Sequence, residues 1–242
     1  MISISKRLES IADLVKNGSR VADIGSDHAI LPVFLIQSGK AVSAIAGEVN
    51  KGPWQAASNQ VRAVGLINKI EVRMGDGLSV LKPGEVDTVC IAGMGGTLIC
   101  SILTDGEEQL KGVENLILQP NVAERNVREW LYHHGWELKG EKILEEDGLI
   151  YEILFAERGN PDLPYVGERW TREQWFEIGP YLWEEKGTVY RKKWQAEQEK
   201  INRALKGLER SISDEANIKR QSLQNRLKWV EEVIECFPKD KR

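Results

Sequence analysis

A chain of 242 residues that is 41% hydrophobic can bury the core of one large α/β domain, or of a medium domain with an appendage. No run of eighteen apolar residues occurs and the start, Met1 to Arg7, has neither an apolar segment nor a cleavage signal, so a cytoplasmic protein without membrane spans is expected. Scattered Cys90, Cys100 and Cys236 argue against a disulfide framework and against a metal site, while a net charge of −4 leaves the partner open.

In chain order, Ile4, Leu8, Ile11 and Val15 recur at steps of four and three and predict a short amphipathic helix closed by Asn17-Gly18. Arg20 to Gly25 predicts a strand, and Ala29 to Ile36 a helix that admits Pro32 only in its first turn. The alternation continues with strands at Ala41 to Gly47, Ile70 to Met74, Val86 to Ala92 and Leu116 to Gln119. Helices are predicted at Pro53 to Val64, Thr97 to Leu103 and Glu124 to His133. Trp136 to Leu144 and Leu149 to Phe155, joined at Glu146-Asp147-Gly148, read as an antiparallel pair. A doubly wound parallel sheet with an antiparallel ending is the expected fold, a Rossmann-like arrangement of the class I methyltransferase kind.

Two prolines in the polar run Gly159 to Pro164 set the expected domain boundary, giving a sheet domain at 1–159 and a helical domain at 160–242. Residues 1–159 carry 16 Lys and Arg against 22 Asp and Glu, and residues 160–242 carry 17 against 15, so the tail is the better face for a polyanion. In the tail, Tyr190, Trp194, Ile201, Ala204 and Leu208 keep a helical rhythm interrupted at Glu197. Leu223, Leu227, Val230, Ile234 and Phe237 keep a second one. Ser211-Ile212-Ser213-Asp214 between them has the chemistry of a helix start, and an antiparallel coiled-coil hairpin is expected.

The turn after the first strand, Asp23-Ile24-Gly25-Ser26-Asp27-His28, has one glycine where a dinucleotide fingerprint has three. An aspartate in the second glycine's place would set an anion against a pyrophosphate, which disfavours nicotinamide. S-adenosylmethionine has no phosphate and carries a sulfonium and an ammonium, and therefore suits Asp23 and Asp27 better. Asp27 also fits a plain helix N-cap. Glu48, 23 residues beyond Gly25, is placed to accept both hydroxyls of an adenosyl ribose.

Asp76, Gly77 and Leu78 follow the third strand, where an acid can meet the adenine amino group or simply make an Asp-Gly turn. Ala92, Gly93, Met94, Gly95 and Gly96 end the fourth strand, and their glycines allow close approach of backbone to a methyl group and a target base. The Asn/Asp-Pro-Pro-aromatic device of amino-methylating enzymes is absent there, which argues against an exocyclic amine target. Gln119, Pro120 and Asn121 end the fifth strand at the same edge, to hydrogen-bond a base or, for Asn121, to cap the next helix. His28 fits either a positioning or a structural role, His133 and His134 a capping role, and Cys90 a small core residue.

Together, D-I-G-S-D-H-A-I-L-P at 23–32, G-E-V-N-K-G-P at 47–53, G-D-G-L at 75–78, A-G-M-G-G at 92–96 and L-Q-P-N at 118–121 resemble the bacterial tRNA (adenine-22-N1)-methyltransferase family, the TrmK type. Ile30 stands where the family has tyrosine. The resemblance implies methyl transfer to N1 of an adenine in the D-arm of tRNA, with S-adenosylmethionine as cofactor and a tail that assists tRNA binding. It adds Val49 and Asn50 to the cofactor residues and makes Asp27 the candidate that offsets positive charge on the methylated base. Lys6, Arg7, Arg191, Lys192 and Lys193 are the candidate RNA cations, though each also fits a solvated charged face. A small-molecule methyltransferase with a helical lid or dimerisation tail is the alternative, and the oligomeric state is open between monomer and dimer.

Overall fold

The alternation read from the sequence forms one sheet of seven strands: β1 (Ser19–Ile24), β2 (Ala41–Glu48), β3 (Ile70–Met74), β4 (Thr88–Met94), β5 (Asn115–Pro120), β6 (Trp136–Glu146) and β7 (Leu149–Arg158). The order is β3-β2-β1-β4-β5-β7-β6 in a computed structural model that describes residues 2–208 and 213–238. Strands β1 to β5 pair in parallel, and β7 runs antiparallel between β5 and β6. Asp147 and Gly148 both take positive φ, 52° and 77°, as a two-residue hairpin between right-twisted strands requires.

Helices α1 (Lys6–Leu14), α2 (Ile30–Gln37) and α3 (Lys51–Ala63) share a core with Val21, Cys90, Ile117 and Ile153 of the sheet. Helices α4 (Gly96–Asp105) and α5 (Glu124–His133) pack on each other and on the strands from β4 to β6. Apolar side chains are therefore needed on both faces, which is why β5 is buried at every position. Ser5 caps α1 by accepting from the Leu8 N–H at 3.3 Å. Between β3 and β4 the chain makes only a 3₁₀ turn, Gly77–Val80. Strand order reverses between β1 and β4, so a crevice opens beyond their carboxyl ends.

The structure divides at Tyr181 and Leu182 into two compact units, later than the proline-containing break at 159–164. The reason is a buried ion cluster. Arg128 of α5 donates to Glu141 of β6 and to Glu152 of β7, each at 2.6 Å, and to the Phe176 carbonyl at 3.1 Å. Glu141 also accepts the Tyr181 N–H at 3.0 Å. Helix α6 (Arg172–Ile178), which starts with a Thr171–Gln174 capping box, is thereby fastened to the sheet unit.

After α7 (Pro180–Glu185), the second unit pairs α8 (Thr188–Leu208) with α9 (Asp214–Glu235). Tyr190 meets Phe237 and Trp194 meets Trp229, at ring separations of 5.5 and 5.3 Å, so the helices are antiparallel. The expected seam needs two corrections. Ala204 is exposed and Leu205 takes its place a full turn beyond Ile201, while Val233 is more buried than Ile234. Glu197, the polar interruption, lies 3.6 Å from Arg226 of α9. Ser213 caps α9 through the Ala216 N–H, whereas Ser211 and Ile212 lie outside the described residues.

Candidate cofactor and substrate cleft

The end of β1 is shaped by crowding. Gly25 has φ 72° and donates its N–H to the Gly47 carbonyl at 2.9 Å, and a Cβ there would collide with the Met94 side chain. Asp27, His28 and Ala29 follow at φ 38°, 63° and 56°, three successive left-handed residues that cost on the order of 1 kcal/mol or more apiece. The loop is held by acids. Asp23 accepts the Ser26 hydroxyl at 2.6 Å, and Glu48 accepts the Asp27 N–H at 2.7 Å.

Both acids are buried. Burial pushes the Asp23 carboxyl up to about 7 despite the Ser26 hydrogen bond, with nearby Glu48 adding to the rise and Arg7 opposing it. Burial also raises Glu48, against the Asp27 N–H that favours its charge. The expectation that Asp27 caps α2 is not met: the N-cap position is Ala29, and no side chain bonds there. The Asp27 carboxylate instead stands in solvent, 87% exposed and 3.6 Å from His28 Nε2.

Beyond β4 and β5 a second network forms around Gln119, which is fully buried. Its Oε1 accepts from Arg7 Nη1 at 2.6 Å and from the Gly93 N–H at 3.1 Å, and its Nε2 donates to the Pro120 carbonyl and to Asn121 Oδ1 at 3.0 Å. Asn121 Nδ2 returns to the Gly93 carbonyl at 2.8 Å. Asn121 is therefore not the cap of α5, whose N-cap position is Ala123 at φ 60°; it ties the ends of β4 and β5 together.

These elements bring Arg7, Gly25, Asp27, Ala92, Gly93, Met94 and Asn121 around one cleft of about 290 Å³, together with Tyr151. Asp76, Gly77 and Leu78 line a neighbouring strand-end cavity of about 260 Å³ with Ile102, Asp105 and Gln109. Val49 and Asn50 are exposed between β2 and α3 and line neither. Gly96 is buried with no room for a side chain against the Val122–Ala123 backbone, and Gly95 precedes α4. Lys6 is exposed, its N–H bonded to Glu146 at 2.7 Å. Arg191, Lys192 and Lys193 belong to α8 in the other unit. Cys90 is fully buried, and His134 stacks on Trp130 at 4.1 Å with its ring nitrogen on the Trp130 carbonyl. Tyr151 was not among the sequence candidates, although an antiparallel β7 must begin at the edge where β5 ends. Among the described residues no three His, Cys, Asp or Glu side chains form a metal cluster, and no helix is long and apolar enough to cross a membrane.

The model for the tRNA (adenine(22)-N(1))-methyltransferase family matches residues 21–232, from within β1 through the rest of the sheet and most of the helical hairpin. The chain belongs to this family. It is 43% identical to the tRNA (adenine(22)-N(1))-methyltransferase of Bacillus subtilis over 97% of this chain and 98% of that one. The crystal structure of the B. subtilis m1A22 tRNA methyltransferase TrmK superposes with a TM-score of 0.90 over 97% of this chain and all of that one, at 43% identity. Streptococcus pneumoniae Sp1610 in complex with S-adenosyl-L-methionine does so at 0.84, over 96% of this chain and all of that one, at 42% identity. The sheet order, the acidic loop and the tRNA methyltransferase family assignment thus agree on a class I methyltransferase fold with C-terminal helices.

Proposed function

We propose that this chain transfers a methyl group from S-adenosylmethionine to N1 of adenine 22 in the D-arm of tRNA. The family match over residues 21–232 carries the reading. The residues of the β1 turn fit the cofactor: buried Asp23 and Glu48 set two acids behind the loop that gives Gly25 and Asp27 to the cleft, an arrangement suited to a ligand bearing a sulfonium, an ammonium and a ribose diol. When bound, S-adenosylmethionine supplies an activated methyl group.

Within this proposal Asp23, Gly25 and Ser26 shape the wall for the amino-acid end, and Glu48 takes the ribose, with His28, Val49 and Asn50 flanking. Asp76, Gly77 and Leu78 line the place of the adenine ring. Ala92, Gly93 and Met94 separate cofactor from substrate, and Gly95, Gly96, Gln119, Pro120 and Asn121 form the edge toward the target base. Gln119 and Gly96 serve by fixing backbone, since both are buried. Neutral adenine N1 already offers a lone pair, so the residues need not remove a proton; they orient the base and exclude water. Drawing the base from its stack costs about a few kcal/mol. The exposed carboxylate of Asp27 at the cleft wall offsets the positive charge that the base acquires.

The sheet domain binds cofactor and offers Lys6 to tRNA, and the helical region assists tRNA binding through the α8 cations Arg191, Lys192 and Lys193; the chain acts in the cytoplasm. The test is incubation with labelled S-adenosylmethionine and tRNA, followed by mapping of the modified nucleotide. A reverse-transcription stop at adenine 22 is expected. Label entering only small molecules overturns the tRNA reading.

A further inference from the structure

We propose that the ring of Tyr151 is the face on which the target adenine lies while it is methylated; this rests on the tRNA reading above. Strand β7 alternates, so Tyr151, Ile153 and Phe155 share one face of the sheet and Glu152 takes the other, where it meets Arg128. Ile153 is fully buried and Phe155 packs against the same core. Tyr151 continues that apolar row to the end of the core and is only half-buried. Strands β5 and β7 pair at Leu118 and Leu154, and continuing that register to the strand ends brings Tyr151 level with Asn121; both line the cleft.

The strand order gives this half of the cleft to the substrate. The acids read as cofactor residues, Asp23, Glu48 and Asp76, stand at the ends of β1, β2 and β3, whereas Tyr151 lies on the other side of β4 and β5. A purine drawn from its stack loses the π-faces of its neighbours, and a ring in the cleft returns one. Met94-Gly95-Gly96 brings no ring to the end of β4, and among the described residues Tyr151 is the one aromatic that lines the cleft. Arg7, held by Gln119 at 2.6 Å, lies over one face of the ring at 5.5 Å from its centre and fixes it from α1; the base takes the other face. The ring favours product over reactant. Neutral adenine becomes a cation when N1 gains the methyl group, so the attraction of an aromatic face for it grows as the transition state forms. Loss of the ring should therefore appear in the methylation step rather than in tRNA affinity, which phosphate contacts dominate.

The experiment measures single-turnover methylation of tRNA at saturating protein, together with tRNA and S-adenosylmethionine affinities, for the full chain, Tyr151→Phe and Tyr151→Leu. Phenylalanine keeps the π-face and removes the hydroxyl; leucine keeps an apolar side chain and removes the π-face. Tyr151→Leu is expected to methylate about 5- to 100-fold more slowly, and Tyr151→Phe to stay within about 3-fold of the full chain. Both variants should bind tRNA and cofactor within about 3-fold of the full chain, which also shows that the variant sites are folded. Equal slowing by phenylalanine and leucine would move the role to the hydroxyl and overturn the assignment to the ring. A normal rate in Tyr151→Leu, or cofactor binding that falls as far as the rate does, would overturn it too, and each leaves the tRNA reading in place. If the unmodified chain methylates no tRNA, that reading itself falls and this one with it.

Discussion

Asp23 and Glu48 at the carboxyl edge of the sheet, and Glu141 and Glu152 on β6 and β7, are four buried carboxylates in one unit, yet they are handled in opposite ways. Glu141 and Glu152 share the buried guanidinium of Arg128. Burial works against the charge of Arg128, but the two carboxylates outweigh it and its pKa moves upward. Among the described residues Asp23 has only a serine hydroxyl at hydrogen-bonding distance, and Glu48 a backbone N–H. A buried acid with its cation built in is a fastener, here for the segment that ends at Tyr181. Asp23 feels Arg7 only from beyond hydrogen-bonding distance, and under the proposed function the closer counter-charge for these acids is the cofactor's.

The largest break in this comparison is Arg128→Met. It leaves two carboxylates buried without their cation and should cost about 3–5 kcal/mol in denaturant unfolding, whereas Arg128→Met combined with Glu141→Leu and Glu152→Leu should recover much of it. Full stability of the single variant would show that the cluster fastens nothing.

Asp23→Asn should act in the other direction on the ligand-free chain. The folded pKa of Asp23, about 7, lies above its ordinary 3.8, so the folded state holds the proton more tightly. The resulting stability is fully present below about pH 4 and is lost as pH rises through 7, by roughly 1.4 kcal/mol per unit at the steepest. Asparagine removes that slope, so the variant should be the more stable protein at pH 8. A stability–pH curve that still falls between 4 and 7 in the variant would assign the slope to another group.

How much of this contrast could be read beforehand differs between its two halves. The acidic loop was legible because Gly25, Asp27 and Glu48 sit at fixed intervals along a strand–turn–helix unit, and local spacing survives into the fold. The Arg128 cluster was not, since its members are 13 and 24 residues apart and look like surface charges until the antiparallel β6–β7 pair buries them. Asp27 and Asn121 have the residue types of helix caps, but their real partners, Glu48 and the Gly93–Gln119 network, come from other strands. The hairpin seam was read nearly right because its periodicity is local; the slip from Ala204 to Leu205 is a single step along the helix.

A smaller effect sharpens the meaning of the unpaired acid. A cationic ligand favours the ionised form of Asp23, so binding below pH 7 must expel a proton. Affinity for S-adenosylmethionine should fall by up to about tenfold per unit as pH drops from 7 to 5, measured by calorimetry in buffers of different ionisation heat. Asp23→Asn should bind more weakly and lose this pH dependence; a variant with the same profile as the unmodified chain would remove Asp23 from the cofactor's counter-charge.

The smallest effect belongs to Asp27, the third acid of the loop and the exposed one. Its backbone, not its side chain, is what Glu48 holds, so Asp27→Asn should leave the loop intact and weaken cofactor binding by less than Asp23→Asn does. Solvent around an 87% exposed carboxylate weakens any field it exerts on the base, and its contribution to stabilising a developing positive charge is about 1 kcal/mol, a three- to tenfold fall in kcat. Salt screens such an interaction, so the gap between Asp27→Asn and the unmodified chain should narrow in single-turnover measurements as ionic strength rises. The buried acids should show no such narrowing. Methylation at the normal rate by Asp27→Asn would leave that side chain without a part in the chemistry and would place the whole electrostatic contribution of the loop in Asp23 and Glu48.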